Sequence, residues 1–266
     1  MRYLTTDPDE LVRRSTLALH RFVTLTQEVD PATRIQASDW TAKQVAAHVL
    51  SVLHRYNDRD LTSWEGLSTT PAELNEQNNK ELAALETLSV DELVAGIRTE
   101  FDRWIAISAE MDPAGSYKFH FRQTIDGNGG AGNLLGELLV HGFDIARAAK
   151  RPWEIDDRDA HLVFNGVLQV ADGVLDPAAL AGLDLSVLWR IGDQAAMLNI
   201  VDGQGGFVDP ADGPARPDVI IGGPPAPMLL SLYGRIGPFA GARRGVFLRG
   251  GRRPWRVAKV ESLFLR

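Results

Sequence analysis

The segment Gly136-Glu137-Leu138-Leu139-Val140-His141-Gly142-Phe143-Asp144-Ile145-Ala146-Arg147 constrains the chain more than any other. Its apolar residues recur with helical spacing, and Glu137 and His141 are four residues apart. On a helix they stand one turn apart on one face, so a carboxylate and an imidazole can reach the same metal ion. A third ligand must come from elsewhere. His48 is the best candidate, because it ends Trp40-Thr41-Ala42-Lys43-Gln44-Val45-Ala46-Ala47-His48, a second strongly helical run. The chain must therefore bring two remote helices side by side.

Its 266 residues are enough for two domains. A net charge of −7 argues against attraction of the whole molecule to nucleic acid or to an anionic membrane. The charge is uneven: from Arg235 onward nine Lys/Arg face one acidic residue, Glu261, a local +8 that leaves −15 for residues 1–234. There is no cysteine, which rules out disulfides, thiolate metal sites and a protein thiol nucleophile, and fits a reducing compartment. Met1 to Glu10 carries no apolar signal region, and no apolar run approaches membrane-spanning length. The expectation is a soluble cytoplasmic protein with neither a nucleic-acid nor a membrane partner.

Helix starts are written plainly. Asp7-Pro8-Asp9-Glu10 predicts a capped start with Glu10 completing a capping box, and Leu11, Leu17, Phe22 and Leu25 an apolar stripe that ends near Asp30-Pro31. Thr41 with Gln44, and Ser89 with Glu92, predict capping boxes, and Trp40 with Val45 a hydrophobic staple. Thr70-Pro71-Ala72-Glu73 opens a more polar helix. Leu93, Ile97, Phe101, Trp104, Ile105 and Ser108 read as a buried stripe. Tyr117, Phe119 and Phe121 alternate with polar residues, as in a short strand or extended loop. Gly127-Asn128-Gly129-Gly130-Ala131-Gly132 has the G-x-G-x-x-G spacing of dinucleotide-binding loops but not the βαβ setting that fingerprint needs. It reads instead as a flexible entry to a helix over about 132–149. Another helix follows from Asp157 to about Val174. Beyond Leu183 strands alternate with turns, and Trp255–Leu265 reads as a final helix. His20, His54 and His161 carry only structural readings.

If His48, Glu137 and His141 meet, two imidazoles and one carboxylate leave an open coordination position, the catalytic rather than structural arrangement for zinc. The same set suits iron(II), and sequence does not separate them. An open metal lowers the pKa of a bound water or thiol. Asp144 lies three residues past His141 and can either orient that imidazole or pair with Arg147.

The Trp-Thr-x-x-x-Val-x-x-His run at 40–48, followed by Glu-Leu-Leu-Val-His-Gly-Phe-Asp-Ile-Ala-Arg at 137–147, resembles the mycothiol-dependent maleylpyruvate isomerase family, part of the DinB-like metalloprotein superfamily. Pro217-Asp218-Val219-Ile220-Ile221-Gly222 with Leu230-Ser231-Leu232-Tyr233-Gly234-Arg235 is similar to the strand, helix and Gly-Arg ending of that family's C-terminal domain. The resemblance implies an α+β protein: an N-terminal DinB-like four-helix bundle, placed here at residues 1–152, then a connecting helix and a small α/β domain of sterol-carrier-protein type at 153–266. It implies a divalent metal, usually zinc, held by residues matching His48, Glu137 and His141. It also implies a small-molecule thiol cofactor, mycothiol or similar, acting on an electrophilic substrate by transfer or isomerisation, not on maleylpyruvate in particular.

A chain without cysteine that performs thiol chemistry must borrow its thiol, and an open metal can hold it as thiolate. Arg235 is a candidate for pairing with a substrate carboxylate, or else a surface Arg of the basic segment. His120 and Arg122 are weaker candidates for pocket walls. Two alternatives stand beside the thiol enzyme. A metal-dependent hydrolase is permitted by the same ligands but lacks a His-Glu-x-x-His base. A non-enzymatic binding module is suggested by the +8 segment.

Overall fold

The computed structural model describes residues 3–36 and 38–265; Met1, Arg2, Ala37 and Arg266, the last counted in the basic segment, lie outside the described residues. The chain divides into two units, residues 6–155 and a second that joins residues 3–5 to 156–265. No described helix is long and apolar enough to cross a membrane.

The first unit contains α1 (Pro8–Glu28), α2 (Ala42–Asp58), α3 (Pro71–Ala84), α4 (Val90–Glu110) and α5 (Gly127–Ala148). Helix α1 packs along α5 and α2 along α4; α1 also meets α4, and α2 meets α5, so these four close a bundle with α3 against the flank of α2. The Thr41–Gln44 and Ser89–Glu92 capping boxes both form. At α1, Asp7 caps through the Asp9 N–H, but Glu10 does not reach back and instead accepts from Arg14 Nε at 3.0 Å. Leu17 is 64% exposed and does not belong to the α1 stripe, which runs through Leu11, Ala18, Phe22 and Leu25. Six residues past Leu11 it has turned about 240° around the helix, away from the core.

Helix α5 is buried on most sides: Leu134, Leu135, Leu138, Leu139 and Ile145 have essentially no exposed surface. Full burial of one such side chain stabilises by about 1.5–3 kcal/mol, so this row fixes the helix in place. The glycine run at 127–132, expected as a flexible entry, is the first turn and a half of α5 itself, with Asp126 accepting from the Gly129 N–H at 2.6 Å. A Cβ on Gly127 would come within 3.0 Å of the Asp112 carbonyl oxygen, so close packing, not flexibility, accounts for that glycine. Before α5, β1 (Tyr117–Phe119) pairs antiparallel with β2 (Gln123–Ile125). Phe121 leaves the alternation because it and Arg122 turn the hairpin with positive φ, 59° and 57°.

The second unit holds α6 (Asp157–Val170), α7 (Pro177–Leu180), β3 (Leu185–Ile191), β4 (Gln194–Val201), β5 (Gln204–Val208), β6 (Val219–Gly223), α8 (Pro225–Leu232) and β7 (Phe247–Gly250). The sheet order is β5-β4-β3-β6-β7, with only β3 and β6 parallel. Asp202 and Gly203, with φ of 50° and 74°, make the two-residue turn between β4 and β5, as a type I′ hairpin requires. The core gathers Leu185, Val187, Leu198, Ile200, Val219 and Leu263. The expected final helix is broken into short turns at Pro254–Arg256, Val257–Val260 and Glu261–Leu263. Phe264 is drawn extended to pair with Leu175, and the Leu265 N–H donates to the Val174 carbonyl at 2.8 Å, which a continuing helix would forbid.

Candidate metal centre

His48 lies on α2 two turns past its capping box, and Glu137 and His141, both partly buried, lie one turn apart on α5. Their ligand atoms fall within 4.8 Å of one another. His48 Nε2 stands 3.3 Å and His141 Nε2 3.1 Å from the same Glu137 Oε2. The two imidazole rings meet edge to face, 4.9 Å between centroids. Two donors, each 2.0–2.1 Å from a tetrahedral cation, stand about 3.3 Å apart, so these spacings suit one shared ion. The donor set, two neutral nitrogens and one anionic oxygen, is that of a catalytic zinc or non-haem iron site.

The charges respond to this convergence. Burial alone would raise the Glu137 carboxyl, but hydrogen bonds from His141 and His48 outweigh it and hold the group well below the usual range. At His141 burial pulls down, yet Asp144 and Glu137 together hold its pKa up at about 9. At His48 burial wins, and its pKa is lowered. A cation bound by these atoms would displace the proton that Asp144 and Glu137 help His141 to hold. Asp144, buried in α5, places Oδ2 3.4 Å from His141 Nδ1. His48 Nδ1 is buried with no hydrogen-bond partner.

Trp40 reads from the sequence as half of a staple and the first residue of the 40–48 run. Its ring also lies 4.9 Å from the His48 ring and 6.3 Å from His141, covering both. The signal was its place just before the cap of the helix that carries His48. His120 is buried at the hairpin turn, its Nδ1 accepting from the Ser68 N–H at 3.1 Å. Burial, then Arg55 and Arg59, push its pKa down to about 3, while the Glu137 charge pulls the other way. Arg122 is exposed. His20 is exposed, and His54, its side chain 42% exposed, faces Glu100 at 3.9 Å. Arg235 belongs to the second unit, where its Nη1 donates to the Tyr233 carbonyl at 2.8 Å. His161, also in that unit, meets the Tyr3 hydroxyl at 2.7 Å and Asp193 at 3.3 Å.

Residues 12–146 match the family model described as the mycothiol maleylpyruvate isomerase N-terminal domain. Two solved structures, a crystal structure of the mycothiol-dependent maleylpyruvate isomerase and one of a histidine-to-alanine mutant of it, are similar in fold. Each superposes with a TM-score of 0.53 at 16% identity, over 92% of this chain and 93% of the other. Among curated proteins no sequence matches.

Proposed function

The chain belongs to the mycothiol maleylpyruvate isomerase family, and from that premise we propose that it is an enzyme that holds a divalent cation, zinc by preference, on His48, Glu137 and His141 and activates a small-molecule thiol there. The observation that carries this reading is the convergence of both Nε2 atoms on one Glu137 oxygen, at 3.3 and 3.1 Å, in a chain that has no cysteine. Bound at these residues, such a cation supplies the charge that lowers the pKa of a thiol at its open position.

The remaining work belongs to the chain. Glu137 contributes the single negative charge of the ligand set. Asp144, its Oδ2 3.4 Å from His141 Nδ1, favours the tautomer that keeps the proton on Nδ1, which leaves Nε2 as the ligand atom. Trp40 shields both imidazoles from water, which strengthens every interaction at the site. Isomerisation of a cis double bond by a thiolate needs sulfur to add to one carbon, rotation about the single bond left behind, and expulsion of the same sulfur. The thiol is regenerated, so a protein without a thiol of its own needs it only as a cofactor. Mycothiol is the proposed thiol and an unsaturated electrophile the proposed substrate. Arg235 is proposed to pair with a substrate carboxylate, a role that an Arg235→Met variant tests through a raised KM.

The experiment is thiol titration of the cobalt-loaded full chain. A thiolate-to-cobalt charge-transfer band that grows to saturation with one thiol per chain supports the reading. Cobalt loading with no such band at any thiol concentration refutes it.

A further inference from the structure

His120 is a buried histidine, 5% exposed, that the triad leaves unused. It stands at the tip of the β1–β2 hairpin, and that tip is clamped to the loop between α2 and α3. The Ser68 N–H donates to His120 Nδ1 at 3.1 Å, and the Phe121 N–H donates to the Ser68 carbonyl at 2.8 Å. The Ser68 hydroxyl in turn donates to Gln77 Oε1 of α3 at 2.8 Å. Two consecutive non-glycine residues, Phe121 and Arg122, are held in the left-handed region to make the turn. Such a conformation costs free energy and persists only where the surroundings impose it. The ring is therefore held in one orientation.

That orientation fixes the tautomer. With Nδ1 accepting, the proton of the neutral ring is on Nε2. No described group accepts from Nε2, and Nε2 is not sealed from solvent as His48 Nδ1 is. The triad is close by, since the charges of Arg55 and Glu137 act on the His120 ring and on the His48 ring alike. Arg55 lies seven residues past His48, two turns along α2 on the same face. It is engaged itself, donating to Asn78 Oδ1 at 2.7 Å and Glu81 Oε1 at 3.3 Å. His120 Nε2 is thus an open donor beside the triad. Burial, then the charges of Arg55 and Arg59, hold the ring's pKa at about 3, so it stays neutral near pH 7.

Building on the thiol reading above, we propose that the Nε2–H of His120 donates a hydrogen bond to the carbonyl oxygen of an α,β-unsaturated substrate. As sulfur adds to the β-carbon, the C–S bond forms, the carbon–carbon π bond breaks, and its electron pair passes towards that oxygen. As sulfur leaves, the pair returns, the double bond re-forms and the C–S bond breaks. No proton is gained or lost. The donor must therefore stabilise charge on the oxygen without surrendering its own proton, and a neutral imidazole does that.

The test uses the cobalt-loaded full chain and two thiols, each read by its thiolate-to-cobalt band. 3-Mercaptopropionate carries a carboxylate oxygen at the same remove from sulfur as the substrate oxygen after addition. Propane-1-thiol is the same chain without the oxygens. The wild type should bind 3-mercaptopropionate about tenfold more tightly than propane-1-thiol, a preference that one hydrogen bond to a charged group supports. In His120→Asn the side-chain oxygen falls near the Nδ1 position and can accept from the Ser68 N–H, while the Nε2 donor is gone. There the two thiols should bind within about twofold of each other, with propane-1-thiol bound as in the wild type. A band for both thiols with no preference in the wild type, or with the preference undiminished in His120→Asn, overturns the proposal and leaves the thiol reading standing. No band with either thiol overturns both. Should His120→Asn fail to fold, the wild-type preference and its pH profile decide. A neutral donor gives the same ratio at about pH 6 and about pH 8, and a ratio that rises about tenfold towards the lower pH would show a titrating imidazole and overturn the proposal.

Discussion

Each unit of the chain surrounds a carboxylate with nitrogen groups, Asp218 in one and Glu137 in the other, and these two are treated in opposite ways. In the sheet unit Asp218 is 1% exposed and fully answered: Arg252 and Arg253 donate four N–H groups to it at 2.6–3.0 Å, and the Ser186 N–H a fifth at 3.3 Å. Burial would raise its pKa, but the two arginines outweigh that and hold it at about 2. In the helical unit Glu137 meets only two imidazoles, both pressing Nε2 on one oxygen, while the Nδ1 of His48 has no partner. A carboxylate that accepts five N–H groups is finished as a structural element, whereas one faced by two imidazoles, each able to offer a lone pair in place of its proton, suits a shared cation. Part of the +8 segment is also engaged within this unit: Arg252 and Arg253 on Asp218, and Arg256 on the Asp184 carbonyl.

The contrast breaks if removing Glu137 behaves like removing Asp218. Glu137→Gln should cost at least about 100-fold in divalent-metal affinity, measured by competition with a chromophoric chelator. Asp144→Asn sharpens the picture of the surrounding shell: it should weaken metal binding by about 10–100-fold with His48, Glu137 and His141 intact. An affinity equal to the wild type would leave Asp144 with no part in orienting His141.

Asp218→Asn should do the reverse, leaving metal affinity alone and lowering stability by about 2 kcal/mol, a moderate figure because Arg252, its side chain 60% exposed, can turn to water. The same residue sets a pH dependence. An aspartate titrates near 3.8 when unfolded, and Asp218 at about 2 when folded. Its contribution is whole above about pH 4 and is lost as the pH falls towards 2. Urea unfolding of the wild type should show that fall, and the Asn variant should lack this part of it.

The smallest effect expected is at Gly142, beside His141. A Cβ there would sit 2.1 Å from the Trp153 ring, whose Nε1 donates to the Leu139 carbonyl at 3.0 Å. The clash costs about 1–3 kcal/mol and the better helix propensity of alanine returns up to about 1, so Gly142→Ala should destabilise by about 1 kcal/mol net.

Much of this arrangement is legible in the chain. Thr41–Gln44 and Ser89–Glu92 announce their helices because capping is local chemistry, and the Glu137–His141 spacing announces a shared face because helical geometry is fixed. What the sequence hides is set by distant contacts. The glycines at 127, 129, 130 and 132 argue against helix on propensity, yet they lie in its first turns, and Asp112 and Pro113 leave no room for a side chain at Gly127. The C-terminal helix breaks because Val174 and Leu175 take the backbone groups of Phe264 and Leu265.

The central claim, that three side chains from two helices share one cation, is tested most directly by counting metal per chain in the wild type and in a His48→Ala, His141→Ala double variant after equilibration with zinc and gel filtration. One zinc per wild-type chain and none in the folded double variant is the expected result. Equal occupancy in both, or none in the wild type, would contradict it.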